Sequence, residues 1–458
     1  MSFPQCPDDS TLKNAFSVLA AAQECPNQVA LMTEDRSITF AELAQMVKDR
    51  QKTLVHPEPH RPYCLTAQVG LETLIDVYTL LEDQIPFLLL HPSLTPRERD
   101  ELINRTLTIQ SPLPEGAQAI LFTSGTTGFP KPAVLTRRAL WASAMSNAAN
   151  CRLTHDDIWL LAMSVARVGG LSIITRSLLA RSTVALAGKF TVEGFIRELS
   201  RTKATLVSIV PTMLTRLLNE APEWEVPSTL RALLLGGSSA SAQLLKRAQA
   251  KHIPVMCTYG MTETASNVVT TPYEDRYNAL FGTGTVNQGV EIKIENGFIY
   301  VRGPMLMAGY WGQAPLAEDG WFQTGDMGEL DDQGRLTVHA RRADLIVTGG
   351  DNVYPAEVEN VLETIPGIKE ARVVGLPDEE WGAIVSALLV PEGKPLTPED
   401  CVKAIRPRLS PYKCPRRIAW VSSLPVLSNG KPNRQPEILK DVGPLITLHW
   451  TNKTSGSH

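Results

Sequence analysis

Nothing in this sequence of 458 residues is long and apolar enough to cross a bilayer as a helix. A span needs about 18 uninterrupted apolar residues. The strongest candidate, DVYTLLEDQIPFLLL at 76–90, is broken by Glu82, Asp83 and Pro86. The opening MSFPQCPDDS lacks the basic and apolar regions of a secretory signal. Neither sign of charge dominates: 44 Lys and Arg stand against 48 Asp and Glu, for a formal net charge of -4, which gives no electrostatic case for nucleic acid. The 7 cysteines (6, 25, 64, 151, 257, 401 and 414) are scattered, odd in number and free of any C-x-x-C. A disulfide framework and a zinc site are both disfavoured, and the thiols read as buried or inert in a reducing cytosol. The 8 histidines show no metal-ligand spacing either.

What is present is an ordinary globular composition, 43% hydrophobic and 20% charged. The length exceeds what one core usually serves, so two or three domains are expected. QVALMTEDRSITF reads as a hairpin and AELAQMVKDRQKTL as an amphipathic helix. Further on, the apolar runs DIWLLAMSV, STVALAG, ATLVSIV and ALLLGG alternate with helical segments such as TVEGFIRELSRT and PTMLTRLLNEA. That alternation predicts an α/β fold, a largely parallel sheet covered on both faces, with ligands at the loops after the strands' carboxyl ends. From about residue 282 short strands and turns suggest a small β-subdomain. After Arg341–Ala343 the order helix, strand, strand, helix suggests a small α+β C-terminal domain. The expected division is therefore 1–341, 342–450 and a polar, disordered tail at 451–458.

The stretch TSGTTGFPKPAVLT, 123–136, is too polar for a strand and too rich in Gly and Pro for a helix. It is not a Walker A loop: five positions beyond Gly125 stands Pro130, and Pro132 follows Lys131. Its chemistry still suits phosphate, with bare backbone at Gly125 and Gly128, hydroxyls at Ser124, Thr126 and Thr127, and the Lys131 ammonium. Taken alone it reads equally well as a solvated loop. TYGMTETAS (258–266), GWFQTGDMGELDDQGRL (320–336), ARRADLIVTGGDNVYPAEVE (340–359) and LPVLSNGKPNR (424–434) accompany it.

These motifs, in this order over 123–434, resemble the adenylate-forming family of acyl-CoA synthetases, luciferases and peptide-synthetase adenylation domains. ITFAEL (38–43) and LLLHPSLTPRE (88–98) match more loosely. The resemblance implies ATP, Mg²⁺ and coenzyme A as co-substrates and cofactor. It places Thr123, Ser124, Gly125, Thr126, Thr127 and Lys131 on the ATP phosphates, and Gly236, Gly237 and Ser238 near the adenine and acyl pocket. Tyr259 would stack on the adenine, with Gly260 beside it in the ATP site, Thr262 would contact the α-phosphate, and Glu263 would help hold Mg²⁺. Asp326 would accept the ribose hydroxyls with Arg341 nearby. Lys431 matches the adenylation lysine, which can bridge an incoming carboxylate and the α-phosphate as charge builds. For the second half-reaction the small domain would turn about Ala343, bringing Gly349 and Gly350 to a pantetheine tunnel. Ala343 stands where relatives often have Asp, Lys or Ser, Ala340 where Gly is usual, and Pro132 where many have Gly. Lys413, with Arg416 and Arg417, reads as a site for the CoA phosphates or as a solvated basic patch.

SVARVGGLSIITRSLL (164–179) fills the place of a segment bordering the family's acyl pocket, which puts Gly169 and Gly170 there. It looks most like the members that ligate CoA to o-succinylbenzoate, an acid with two carboxylates. Arg167 is the first candidate for the second carboxylate, and Arg176 the second. Arg167 paired with a protein acid or an ATP phosphate remains open, as do another aryl or fatty acid and a carrier protein in place of CoA. The expected partners are thus a small carboxylic acid, ATP and CoA in the cytoplasm, without nucleic acid or membrane span; a homodimer is admitted.

Overall fold

A computed structural model describes the chain apart from residues 1–6, 59, 124–129, 239, 279–282, 317–319, 342–343, 349–350, 379–380, 428–431, 440–441 and 451–458. The apolar runs of the first half form the expected parallel strands. Val255–Met261, Ala232–Leu235, Leu206–Ile209, Ile158–Leu161, Thr183–Leu186 and Val29–Met32 lie side by side in that order. Leu206–Ile209 and Ala232–Leu235 are buried at every position, as strands covered on both faces must be. The helices Val192–Thr202, Pro211–Glu220 and Ala242–Ala250 supply one covering layer. Arg137–Cys151 and Val168–Ala180 supply the other.

The strands after 282 form the expected β-subdomain, joined to the main sheet rather than free of it. They extend the same sheet, antiparallel, through Ser266–Thr270 and Gly284–Val286 to Arg335–Arg341, Phe322–Leu330, Phe298–Arg302 and Glu291–Glu295. With the hairpin strand Ser37–Thr39 at the far edge, the sheet has 13 strands. The expectation for 123–136 also needs correction, since Lys131–Thr136 is a strand. Ala133, Val134 and Leu135 are fully buried there, and their burial outweighs the polar composition around them. It joins a second sheet of 5 strands, in the order Gly309–Tyr310, Lys131–Thr136, Ala117–Thr123, Phe87–Leu90, Tyr63–Thr66.

Local chemistry fixes the covering helices. Thr39 and Glu42 form a reciprocal capping box at the start of Phe40–Thr53, whose buried Phe40, Leu43, Ala44 and Val47 follow the helical period. Buried Glu82 accepts from Ser17 Oγ at 2.8 Å and from the Val18 and Leu19 amides at 2.7 and 3.1 Å, capping the helix Val18–Glu24. The described cysteines are free. Burial pushes the thiols of Cys151, Cys257, Cys401 and Cys414 up to about 11, which makes them poor nucleophiles. Among the described residues no helix is long and apolar enough to cross a membrane.

A separate core begins with Ile346 and Val353 and runs to Leu448, whereas Leu336 still belongs to the main core. It is built on the strands Ile368–Asp378, Gly382–Pro391, Arg417–Trp420 and Ile446–Thr447, with the helices Pro355–Leu362 and Pro398–Ile405. Among the described residues few polar contacts cross the seam. His339 faces Tyr354 with ring centroids 5.3 Å apart, the Ala242 amide donates to Asn360 Oδ1 at 3.2 Å, and the Ser241 side chain is near enough to Glu363 to favour its charged form. The expected tail at 451–458 lies outside the described residues.

Candidate active site

The site is built on the turn that ends the last parallel strand. Val255–Met261 runs into the 3₁₀ turn Thr262–Thr264, and the chain returns antiparallel as Ser266–Thr270. Gly260 permits the reversal: a Cβ there would lie 2.0 Å from the Ser266 carbonyl oxygen. Ala265 and Ser266 hold φ of 48° and 112°, which costs a residue with a side chain of order 1–3 kcal/mol. Three contacts hold them there. Ser143 Oγ donates to the Ala265 carbonyl at 2.7 Å, Thr264 Oγ1 to the Ser266 carbonyl at 2.7 Å, and Arg176 Nη2 to Ser266 Oγ at 2.9 Å.

The turn points Glu263 at the second sheet. Its Oε1 accepts from the Tyr310 hydroxyl at 2.7 Å, and its carbonyl from the Met307 amide at 2.8 Å. The Lys131 ammonium sits 5.2 Å from the centre of the same Tyr310 ring. Thr123 is the register partner of Lys131. On the other side, the Tyr259 hydroxyl donates to Asp326 Oδ2 at 2.9 Å. Asp326 is only 4% exposed and is the register partner of Arg341. Gly236 lies against this wall; a Cβ would come 2.2 Å from Thr258 Oγ1. Gly237 has φ +85°, and Ser238 follows it. Thr123, Lys131, Tyr259, Gly260, Thr262, Glu263 and Asp326 therefore come together from separate parts of the chain.

The segment 164–179 meets the turn 262–266 through Arg176. Gly170 is required by packing, since a Cβ would lie 2.3 Å from the Ser164 carbonyl oxygen, and at Gly169 it would meet Met163 Cε at 2.7 Å. Arg167 is half-buried and depresses the pKa of His91, which burial already lowers. Arg176 is 2% exposed, and burial pushes its pKa down to about 10. Its guanidinium lies 5.7 Å from the Trp159 ring, its Nε has no partner, and no carboxylate pairs with it among the described residues. Among the described residues Arg167 Nε and the buried Asn267 Nδ2, Asn147 Nδ2 and Asn287 Oδ1 are also without hydrogen-bond partners; Asn267 joins Arg176 through Ser266 Oγ.

Lys413 is not brought to this group. It pairs with Glu357, whose hydrogen bond raises its pKa, while Arg416 stacks 4.1 Å from the Trp381 ring and Arg417 donates to Thr447 Oγ1 at 2.7 Å. Ser124, Gly125, Thr126, Thr127, Ala343, Gly349, Gly350 and Lys431 lie outside the described residues, as does the side chain of Arg341. Tyr310 lies outside every motif read from the sequence, and Ser266, the last residue of TYGMTETAS, is assigned no role by it. Among the described residues no three metal-ligating side chains cluster, so a metal here would have one carboxylate and otherwise ligands from its substrate. That donor set suits Mg²⁺ carried by a polyphosphate.

The chain belongs to the AMP-binding enzymes: that family's model matches residues 66–311, and the model of the AMP-binding enzyme C-terminal domain matches 357–431. It is similar to the 2-succinylbenzoate–CoA ligase of Bacillus subtilis (strain 168), 33% identical over 478 residues, covering 93% of this chain and 97% of the relative. The o-succinylbenzoate CoA synthetase (MenE) of Bacillus subtilis in complex with the acyl-adenylate OSB-AMP superposes with a TM-score of 0.79 at 31% identity, over 91% of this chain and 96% of that one. Its complex with ATP and magnesium gives 0.78 at 30% identity, over 91% and 97%. A double mutant of that enzyme bound to the product analogue OSB-NCoA gives 0.65 at 31% identity, over 94% and 99%.

Proposed function

We propose that the chain is an ATP-dependent acid–CoA ligase whose acid is 2-succinylbenzoate, activated as an acyl-adenylate with release of pyrophosphate and then passed to CoA. The observation that carries the choice of acid is Arg176. A buried guanidinium without a counter-charge is costly, and this one is linked through Ser266 to the turn bearing Glu263. A dicarboxylate satisfies the site: one carboxylate reacts near Glu263 while the other pairs with Arg176. Arg167 also has an unpartnered Nε and no carboxylate beside it among the described residues; Arg176 is preferred for its deeper burial and its link to the turn. Around it, Trp159 and Ser208, joined by a 3.2 Å bond from Nε1 to Oγ, give an apolar wall with a polar edge.

The chemistry needs two anions to meet at the α-phosphate. In this reading Thr123, the loop 124–127 and Lys131 hold the β- and γ-phosphates. Tyr259, Gly260, Gly237 and Ser238 border the adenine, Asp326 and Arg341 hold the ribose, and Thr262 contacts the α-phosphate. Mg²⁺, held by Glu263, neutralises charge on the phosphoryl oxygens. Lys431 bridges acid and phosphate from the C-terminal domain, which begins after 341–343 and turns about Ala343. Gly349 and Gly350 then border the pantetheine arm, with Lys413 near the CoA phosphates once it leaves Glu357. The reaction belongs in the cytoplasm.

Pyrophosphate release from ATP, measured across a panel of acids with and without CoA, tests the reading. 2-Succinylbenzoate should be preferred to benzoates without the second carboxylate, and its thioester should form only with CoA. In Arg176→Met, kcat/KM for 2-succinylbenzoate should fall by about two to four decades, the effect of breaking a buried pair, while KM for ATP holds. An aryl or fatty monocarboxylate used best, or a carrier protein accepted in place of CoA, would sink the assignment.

A further inference from the structure

Glu263 and Lys131 are opposite charges held beside one side chain, yet no ion pair joins them among the described residues. Left to themselves, a carboxylate on a tight turn and an ammonium at the start of a facing strand would close on each other. Each would then be occupied before a nucleotide arrived, and the pair would have to be broken in every cycle. Tyr310 stands between them. Its hydroxyl donates to Glu263 Oε1 at 2.7 Å, and the face of its ring receives the Lys131 ammonium at 5.2 Å. A phenol is neutral, so it satisfies both charges without cancelling either. The hydroxyl takes one carboxylate oxygen and leaves the other, and the negative π-face attracts an ammonium without consuming its donors.

The fold fixes Tyr310 firmly. The strand Gly309–Tyr310 pairs with the strand that begins at Lys131, placing Tyr310 opposite Ala133. The Ala308 amide donates to the Val134 carbonyl and the Trp311 amide to the Pro132 carbonyl, both at 2.9 Å. Trp311 is 3% exposed and donates from Nε1 to the Ser111 carbonyl at 2.9 Å, so the next residue is an anchor. Gly309 turns the chain in at φ +136° and Gly312 turns it out at φ +80°, conformations that favour glycine. The Met307 amide bonds the Glu263 carbonyl, tying this segment to the turn as well.

We propose that Tyr310 is a positioning residue that keeps Glu263 and Lys131 apart, holding the carboxylate for the metal and the ammonium for the phosphates before either ligand binds. This rests on the reading of the site as one for a metal–nucleotide complex, though not on the identity of the acid. The test is the dissociation constant of α,β-methylene-ATP, with and without Mg²⁺, measured by calorimetry on the full chain. Tyr310→Phe retains the ring and its packing but loses the hydroxyl. It should weaken binding in the presence of Mg²⁺ about ten- to a hundredfold, the effect of losing a hydrogen bond to a charged group, with little change without Mg²⁺. Tyr310→Leu, which also loses the ring face, should weaken binding in both conditions. With Lys131→Met as background, the Phe substitution should matter much less, because no cation remains to collapse onto Glu263. Thioester formation from supplied acyl-adenylate and CoA should be spared in both Tyr310 variants. Unchanged dissociation constants in both variants would overturn the proposal, as would equal losses in the two half-reactions or full additivity with Lys131→Met. Failure of the unaltered protein to bind the analogue with Mg²⁺ would sink the metal–nucleotide reading and this proposal with it. An altered acid preference with binding intact would touch only the choice of substrate.

Discussion

Arg137 and Arg176 are both buried guanidiniums, and they are satisfied in opposite ways. Arg137 donates to the carbonyls of Leu81, Leu12 and Lys13 and to Gln118 Oε1, at 2.7, 3.1, 3.1 and 2.6 Å, with Glu82 close enough to favour its charge. It fastens the N-terminal helix to the second sheet. Arg176 has Ser266 Oγ and an aromatic face, with no carboxylate among the described residues. The same substitution should therefore have opposite consequences. Arg137→Met leaves buried carbonyls without donors, at roughly 1–3 kcal/mol for each group left unsatisfied, and should lower Tm by several degrees. Arg176→Met removes an uncompensated buried charge, and that gain offsets the loss of its bond to Ser266 Oγ. Its Tm should hold or rise while dicarboxylate activity collapses. Thermal unfolding of the two variants side by side checks this; a large fall in Tm for Arg176→Met would make that residue structural.

At the scale of elements, the turn 258–266 carries the most constraint per residue. Gly260→Ala would put a methyl 2.0 Å from the Ser266 carbonyl oxygen, which is backbone and has no rotamer to yield. The strands must part there, costing roughly 1–3 kcal/mol as overpacking does, and Glu263 moves with them. Urea unfolding should show the loss of stability, and pyrophosphate release should fall further than stability alone explains. An unchanged midpoint and rate would mean that the turn can open freely. The glycines of this turn and of 236–237 were legible in the sequence because bare backbone beside polar residues is a local signal. The parallel strands were legible as continuous apolar runs, and the helices by their period. Lys131–Thr136 was not, because Lys131 and Pro132 disguise an apolar core of only Ala133, Val134 and Leu135. The joining of the later strands to the main sheet was not legible either, since pairing such as Gly284 with Leu336 has no local signature. Tyr310 escaped for the same reason: it meets Glu263 across 47 residues. Ala265 and Ser266 carry positive φ without the Gly or Asn that would announce it.

At the scale of the whole molecule, the seam between the two cores carries the consequence. The chain superposes on the Bacillus subtilis enzyme with a TM-score of 0.79 for the adenylate complex and 0.65 for the product-analogue complex of the double mutant, so the arrangement described here is nearer the first. In the proposed two-step reaction it must be left before thiol attack, and the contacts of His339 with Tyr354, Ala242 with Asn360 and Ser241 with Glu363 would have to open. Tyr354→Ala should therefore slow pyrophosphate release a few-fold while leaving thioester formation from supplied acyl-adenylate no slower. Stability should also respond to pH beside this seam. Burial raises Glu363 from 4.5 to about 6, the carboxylates of Glu359 and Glu370 acting in the same direction against the Ser241 side chain and the Ala371 amide; Arg372 is a cation that faces it. Because the folded-state pKa is raised, the folded chain binds the extra proton. The favourable contribution is complete below about 4.5, is lost as pH rises through 6, and amounts to at most about 2 kcal/mol. Urea unfolding of the full chain should show that loss across the window, and Glu363→Gln, which cannot ionise, should flatten the dependence. A stability that titrates identically in the Gln variant would place the proton elsewhere.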